Sequence, residues 1–163
     1  MRNNLMKVLP GLLLFVLLSS LAWAEDGPGN FKGIPWGSEM DQGTEFITLK
    51  EIRDFKFCSR SGEVPEIDGA QVEEIRYEFF KNRFYSVTVR FSGDRSFRSL
   101  LESLFRRYGA AEKRTKYMEE YEWSSHDLNV ILKYSDSEKN GSLEYQYKPI
   151  FDQITREENC CTP

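Results

Sequence analysis

The chain contains 163 residues, of which 22 are basic and 26 are acidic, so its formal net charge is −4. This acidic balance gives no general attraction for a phosphate backbone and argues against a nucleic-acid partner. The length fits one domain behind an N-terminal targeting segment, and a domain of this size can fold without staples such as disulfides or metal ions.

Residues 1–24 have the pattern of a cleavable secretory signal peptide. Arg2 and Lys7 supply its positive start, an almost wholly apolar run covers 8–21, and alanines at 22 and 24 give the small residues of an A-x-A cleavage site. The apolar run is shorter than the roughly 20 residues that cross a bilayer. We therefore expect cleavage rather than a membrane anchor, and a mature protein that does not span the membrane.

The predicted cleavage point lies between Ala24 and Glu25. A lipoprotein would carry a cysteine directly after this point, whereas the nearest cysteine is Cys58. The mature protein is therefore expected to be periplasmic or secreted, without a lipid anchor. Cleavage removes two basic residues and no acidic one, so the net charge of −4 becomes about −6.

Three parts are predicted in the mature chain, namely a flexible lead-in at 25–30, a single α+β domain at 31–155 and a C-terminal tail at 156–163. The lead-in is polar and rich in glycine and has no apolar period. The segment 31–37 combines three large apolar residues with two glycines and a proline, which favours an irregular segment pressed onto a core. Short strands are predicted at 45–50 and 55–59.

Alternating hydrophobic and polar residues predict two half-buried strands in the next part of the chain. Apolar residues recur at every second position over 75–79 and again over 85–91. The residues at 81–82 suit a tight hairpin turn between these strands, because asparagine tolerates a positive φ.

The period changes to that of a helix over 94–108. Its apolar face consists of Phe97, Leu100, Leu101, Leu104, Phe105 and Tyr108. Asp94 is predicted as the N-cap, and Gly109 as the residue that follows the last turn.

Three further strands are predicted at 117–123, 128–134 and 143–147. The dipeptide at 140–141, Asn-Gly, predicts a hairpin turn between the last two strands. Pro149 ends the last strand, and a short terminal helix is predicted after it. The predicted fold class is therefore α+β. It is an antiparallel meander in the order strand, strand, helix, strand, strand, strand, with the main helix packed on one sheet face.

The segment at 31–37 reads F-K-G-I-P-W-G, and five further segments accompany it, at 75–80, 83–87, 97–104, 107–109 and 145–149. Together they resemble an uncharacterised family of small exported bacterial proteins with an F-x-G-I-x-W-G start. The resemblance covers most of the mature chain. It implies a single domain in the bacterial envelope, and it supplies no reaction and no catalytic residue.

All three cysteines, Cys58, Cys160 and Cys161, lie in the mature chain. An oxidising compartment allows one disulfide among them. The sequence leaves three pairings open, because Cys58 can pair with either of the other two and these two can also pair with each other. Thiols in a frayed tail that form no bond are the alternative.

No catalytic or metal-binding constellation is recognisable. The only histidine, His126, is predicted in a hairpin turn beside two serines and Asp127. Neighbours in one turn rarely align as nucleophile, base and orienter, so a solvated turn is favoured. The stretch 136–141 imitates the opening of a calcium loop, but the twelfth position is Tyr147 instead of glutamate. We therefore predict no metal and no cofactor.

Aromatic residues are unusually frequent, with 12 phenylalanines, 8 tyrosines and 3 tryptophans. On several strands they occupy both faces, so one face packs on the helix and the other meets either water or a second layer. If it meets water, a candidate binding face consists of Trp36, Tyr121, Tyr145 and Tyr147. If it meets a second layer, the segment 31–36 covers these rings, which fits the rarity of large apolar patches on soluble monomers.

The leading hypothesis is a non-enzymatic binding or interaction module of the bacterial envelope, whose partner is an envelope protein or a polysaccharide. An aromatic face without a reactive cluster suits recognition better than turnover. One alternative is a carboxylate-based hydrolase that acts on an envelope or extracellular polymer with two of the many glutamates. The other alternative is a structural envelope protein.

Overall fold

The structure is a computed structural model that describes residues 29–40, 45–114 and 119–160. Within these ranges the chain forms a large antiparallel sheet and two helices, which confirms the predicted α+β class. Neither helix is long and apolar enough to cross a membrane.

The strands are β1 (Asn30–Phe31), β2 (Ile34–Pro35), β3 (Phe46–Ile52), β4 (Phe55–Arg60), β5 (Glu66–Ile67), β6 (Ala70–Gln71), β7 (Glu74–Phe80), β8 (Arg83–Ser92), β9 (Glu112–Lys113), β10 (Glu119–Ser124), β11 (Leu128–Ser135) and β12 (Asn140–Tyr147). The helices are α1 (Asp94–Tyr108) and α2 (Lys148–Cys160). The large sheet has the order β3-β4-β7-β8-β12-β11-β10-β9, and β1–β2 and β5–β6 form two small hairpins.

Helix α1 covers one part of the apolar face of the sheet. Leu100 and Leu104 are fully buried there, and the ring of Phe97 stacks on Tyr134 at 4.4 Å between centroids. The N-cap position is Gly93, so the prediction of Asp94 in that role is wrong. Asp94 is instead the first helical residue, and its carboxylate accepts a hydrogen bond from the Tyr134 hydroxyl at 2.7 Å.

The segment 31–37 covers another part of the same apolar face. The ring of Phe31 contacts Tyr145 at 5.1 Å between centroids, and Trp36 stacks on Phe84 at 4.5 Å. A side chain at Gly37 would come within 3.3 Å of the Tyr147 ring. The aromatic residues of this segment therefore belong to the core.

The connection between β11 and β12 differs from the predicted hairpin. The turn lies at 136–139, and Gly141 is part of strand β12. A Cβ atom at Gly141 would lie 2.4 Å from both the Phe91 ring and the Lys133 carbonyl oxygen. A glycine is therefore needed at 141 for the close approach of the Phe91 ring. Because this packing holds Gly141 within the strand, the turn lies before the Asn-Gly dipeptide and not at it.

Helix α2 lies at one end of the opposite sheet face. Its residues Ile150 and Ile154 are buried against Phe80 and Tyr85 in a second, smaller apolar cluster. The helix continues to Cys160, so the part of the chain predicted as a tail is helical as far as that residue. Because α2 covers only one end, most of this face is left to polar side chains.

Candidate functional site

The sheet face opposite α1 carries polar side chains in three rows that cross the strands. Residues paired directly across neighbouring antiparallel strands point to the same face. The first row contains Glu74, Arg90, Ser142, Lys133 and Glu120; the second contains Arg76, Thr88, Glu144, Ile131 and Glu122; the third contains Glu78, Ser86, Gln146, Asn129 and Ser124. These rows form a polar platform across the middle of the sheet.

A groove of about 750 Å³, open to solvent, lies on this platform along β8 and β12. Glu138 in the turn before β12 lines one end, and Phe151 of α2 lines the other. Strand β12, which runs along the groove, has eight residues and is therefore about 27 Å long. The volume lies within the range of ordinary ligand-binding sites.

A β-bulge shapes the floor of this groove near α2. Glu78 pairs with Ser86 and Phe79 pairs with Phe84, so Tyr85 is an extra residue in β8. The bulge turns the Tyr85 hydroxyl toward Glu78, whose Oε2 accepts its hydrogen bond at 3.2 Å. Bulges commonly re-aim side chains beside functional sites.

The carboxylate of Glu78 is held by three side chains at once. Its Oε1 accepts hydrogen bonds from Thr88 Oγ1 at 2.9 Å and from two nitrogens of Arg76, each at 3.2 Å. Burial raises the pKa of Tyr85, and the negative charge of Glu78 raises it further. Glu78 therefore organises the floor, and both of its oxygens are engaged inside the protein.

The centre of the groove keeps polar groups that are little used within the protein. Glu144 accepts one long hydrogen bond, from Gln146 Nε2 at 3.3 Å. Within the described ranges, Lys133 has no ion pair within 4 Å, and the Ser142 hydroxyl has no side-chain hydrogen bond. These groups remain able to bind a ligand.

Glu78 and Glu144 are the glutamates of the polar platform that also line the groove. Glu78 and Glu144 lie on strands that flank β8, in neighbouring rows. Two strand spacings and a two-residue offset put their Cα atoms about 12 Å apart. The oxygens of Glu78 are also occupied by Arg76, Thr88 and Tyr85. The floor therefore offers fixed donors and acceptors for binding.

The predicted aromatic binding face lies elsewhere in the molecule and is largely covered. Trp36 is 8% exposed and Tyr145 is 2% exposed, and both belong to the main core. Tyr121 is half-buried against Phe105 of α1, and Tyr147 stacks with Trp36 at 6.4 Å. These rings are therefore covered by a second layer, as in the alternative given above. That layer consists of the segment 31–36 together with α1, which lie on the same apolar face of the sheet.

Cys58 and His126 do not line this groove. Cys58 is a buried free thiol, and burial raises its pKa. Both of its predicted pairings involve a cysteine side chain outside those that the structure describes. The third predicted pairing, between Cys160 and Cys161, and the cleavage site at Ala24 and Glu25 lie outside the side chains that the structure describes. His126 is almost fully exposed in its turn.

Metal ligands do not gather in the described ranges either. No group of three or more histidine, cysteine, aspartate or glutamate side chains is placed to hold an ion there. The groove residues were absent from the sequence-based candidates, although a signal for them exists. Polar residues recur at alternate positions of β7, β8 and β12, but their alignment into rows depends on strand order.

Comparison with known proteins gives no match from which a function could be transferred. No protein-family model, curated protein or solved structure matches the chain. The polar groove is therefore the feature on which a function must be based.

Proposed function

We propose that the protein is an exported binding module of the bacterial envelope and that the groove along β8 and β12 is its binding surface. The observation that carries this proposal is a wide polar groove whose hydrogen-bonding groups at Lys133, Ser142 and Glu144 are little used within the described part of the protein. A floor fixed by the Glu78 network loses little conformational entropy when a ligand binds. Such preorganisation favours recognition.

Binding is favoured over hydrolysis because the groove has only one central carboxylate with spare hydrogen-bonding capacity. Glycoside hydrolases require two carboxyl groups roughly 5 to 10 Å apart, one on each side of the scissile bond. Glu144 fits one such role, but the oxygens of Glu78 already hold Arg76 and Tyr85.

The export part of the proposal depends on the signal-peptide pattern at 1–24. We expect the secreted or periplasmic form to begin at Glu25. The intact mass of the protein recovered from a periplasmic fraction measures this directly. Recovery of the full-length chain from the cytoplasm alone would contradict export and would leave the groove untouched as a binding surface.

A substitution that fills the groove tests the binding part. Ser142→Trp places a large ring on the groove floor, and Ser61→Trp places the same ring in an exposed turn outside the groove. Mature protein is immobilised and exposed to envelope extract, and the retained protein, glycan and lipid are quantified. We expect Ser142→Trp to lose the retained material and Ser61→Trp to keep it. Equal retention by the two variants would contradict the proposal.

A further inference from the structure

The charges that line the groove are of both signs and nearly balanced. The cationic residues are Arg76, Arg90 and Lys133, and the acidic residues are Glu73, Glu78, Glu138 and Glu144. A polyanion would meet Glu144 at the centre, and a polycation would meet Lys133 and Arg90 in the row beside it. Both would be repelled as strongly as they are attracted. The groove therefore disfavours a ligand with a high charge of either sign.

The unused groups offer hydrogen-bond donors and acceptors side by side. Ser142 lies between Arg90 and Lys133 in one row, where neighbouring strands are about 5 Å apart. Glu144 follows two residues later on the same strand, about 7 Å away. A hydroxyl group donates one hydrogen bond and accepts up to two. A chain that presents many hydroxyl groups can therefore use the cations, the serine and the carboxylate together.

The same floor lacks the anchors that a protein partner uses. Protein interfaces depend on an apolar centre and on aromatic residues that fill pockets. The two arginines of the groove, Arg76 and Arg90, are already ion-paired with Glu78 and Glu74. The floor of this groove is polar, and its exposed aromatic ring, Phe151, lies at the end beside α2 and is 38% exposed. One apolar ring at the end of a polar track suits contact with the less polar face of a ring-shaped ligand unit.

From these three observations we infer that the groove binds a neutral glycan, that is, an uncharged chain of hydroxyl-bearing sugar units. This inference rests on the proposed function, since it names the ligand of the same binding surface. Lys133, Arg90 and Ser142 donate to sugar oxygens, and Glu144 accepts from sugar hydroxyls. Phe151 contacts one sugar face at the end of the track.

An array of immobilised neutral, anionic and cationic oligosaccharides tests this ligand class with the mature protein. We expect binding to neutral members only, and an affinity that changes less than about twofold between roughly 0.05 and 0.5 M NaCl, because no net charge is neutralised. Glu144→Ala should weaken that binding about tenfold, because a charged acceptor is lost. Glu102→Ala, on the exposed side of α1, is the matched control and should bind as the wild type.

The outcomes separate the ligand class from the binding function. A blank array combined with envelope retention that Ser142→Trp abolishes would overturn the glycan inference and leave the binding function in place. If the array shows no binding and Ser142→Trp retains as much envelope material as the wild type, both the glycan inference and the binding function of the groove are overturned. Binding only to charged oligosaccharides, with a steep loss in salt, would also overturn the inference, as would equal effects of Glu144→Ala and Glu102→Ala.

Discussion

Gly141 lies under the ring of Phe91, and its missing side chain is what lets the two strands pack. A Cβ atom there would lie 2.4 Å from the ring and 2.4 Å from the Lys133 carbonyl oxygen, and backbone cannot move aside cheaply. We predict that Gly141→Ala lowers the free energy of unfolding by about 1–3 kcal/mol, the usual cost of overpacking. Urea denaturation followed by tryptophan fluorescence measures this change.

The control for this prediction is a glycine with open space around it. No atom lies within 4 Å of a Cβ built on Gly29, and its φ is not positive. Gly29→Ala should therefore leave the urea midpoint close to that of the wild type. If the two substitutions cost the same, the close approach of Phe91 is not what requires a glycine at 141.

Two buried tyrosines make the stability depend on alkaline pH. Burial raises the pKa of Tyr77 and of Tyr85, and each hydroxyl also donates to a glutamate, at 2.7 Å to Glu63 and at 3.2 Å to Glu78. In the unfolded chain tyrosine loses its proton near pH 10. Above that pH the folded state retains protons that the unfolded state has lost, so stability falls as pH rises.

We therefore predict that the stability advantage of the wild type over Tyr85→Phe shrinks above about pH 10. At neutral pH the variant loses one hydrogen bond to Glu78, which costs about 1 kcal/mol. Phenylalanine cannot release a proton, so the variant does not lose the stability that the wild type loses when Tyr85 ionises in the unfolded chain. Urea midpoints of both proteins at pH 8 and above pH 10 give the comparison, and a constant difference would refute the prediction.

At the scale of elements, α2 is attached to the sheet through few side chains. Ile150 is 2% exposed and packs with Ile154 against Phe80 and Tyr85. We predict that Ile150→Ala lowers the free energy of unfolding by about 2–5 kcal/mol, because a buried isoleucine leaves a cavity. Hydrogen exchange should rise first in α2. Phe151→Ala on the next position removes a partly exposed ring and should cost much less; a similar cost would contradict this packing.

The elements also show how far the sequence alone reaches. Helix α1 and the hairpin of β7 and β8 follow from periodicity within about 15 residues, and both were predicted. The predicted position of the turn before β12 is wrong because the Asn140–Gly141 dipeptide is typical of a hairpin turn, whereas Gly141 is required here by the close approach of the Phe91 ring. Tertiary packing therefore overrides the local turn preference of this dipeptide.

The groove depends on pairings that no local pattern contains. Its rows exist because β12 lies beside β8, across about 50 residues of chain, and because Tyr85 bulges out of β8. The sequence does reveal polar residues at alternate positions of these strands. It does not reveal which strands are neighbours. The aromatic residues that the sequence offers as a binding face belong to the core of the opposite face or pack against it.

At the scale of the whole molecule, one edge of the large sheet has no strand paired with it among the residues that the structure describes. Strand β3 forms this edge, and its Ile47 is 53% exposed while Leu49 in the same strand is also exposed. A long edge with exposed apolar side chains is a template for pairing with another chain. Lys50 and Glu51 lie next to each other on β3, so an antiparallel copy of the strand can set each charge opposite its counterpart.

We therefore predict that the mature protein self-associates at high concentration through β3 and that Ile47→Lys suppresses it. A lysine at position 47 replaces an exposed apolar side chain of the edge strand with a charged one that resists desolvation, which opposes apolar contact with a second copy. Val64→Lys is the matched control, because Val64 is 70% exposed but lies outside the strands. Sedimentation velocity over a concentration series should show a larger shift to the monomer for Ile47→Lys than for Val64→Lys. Equal shifts would mean that net charge, and not the sheet edge, controls association.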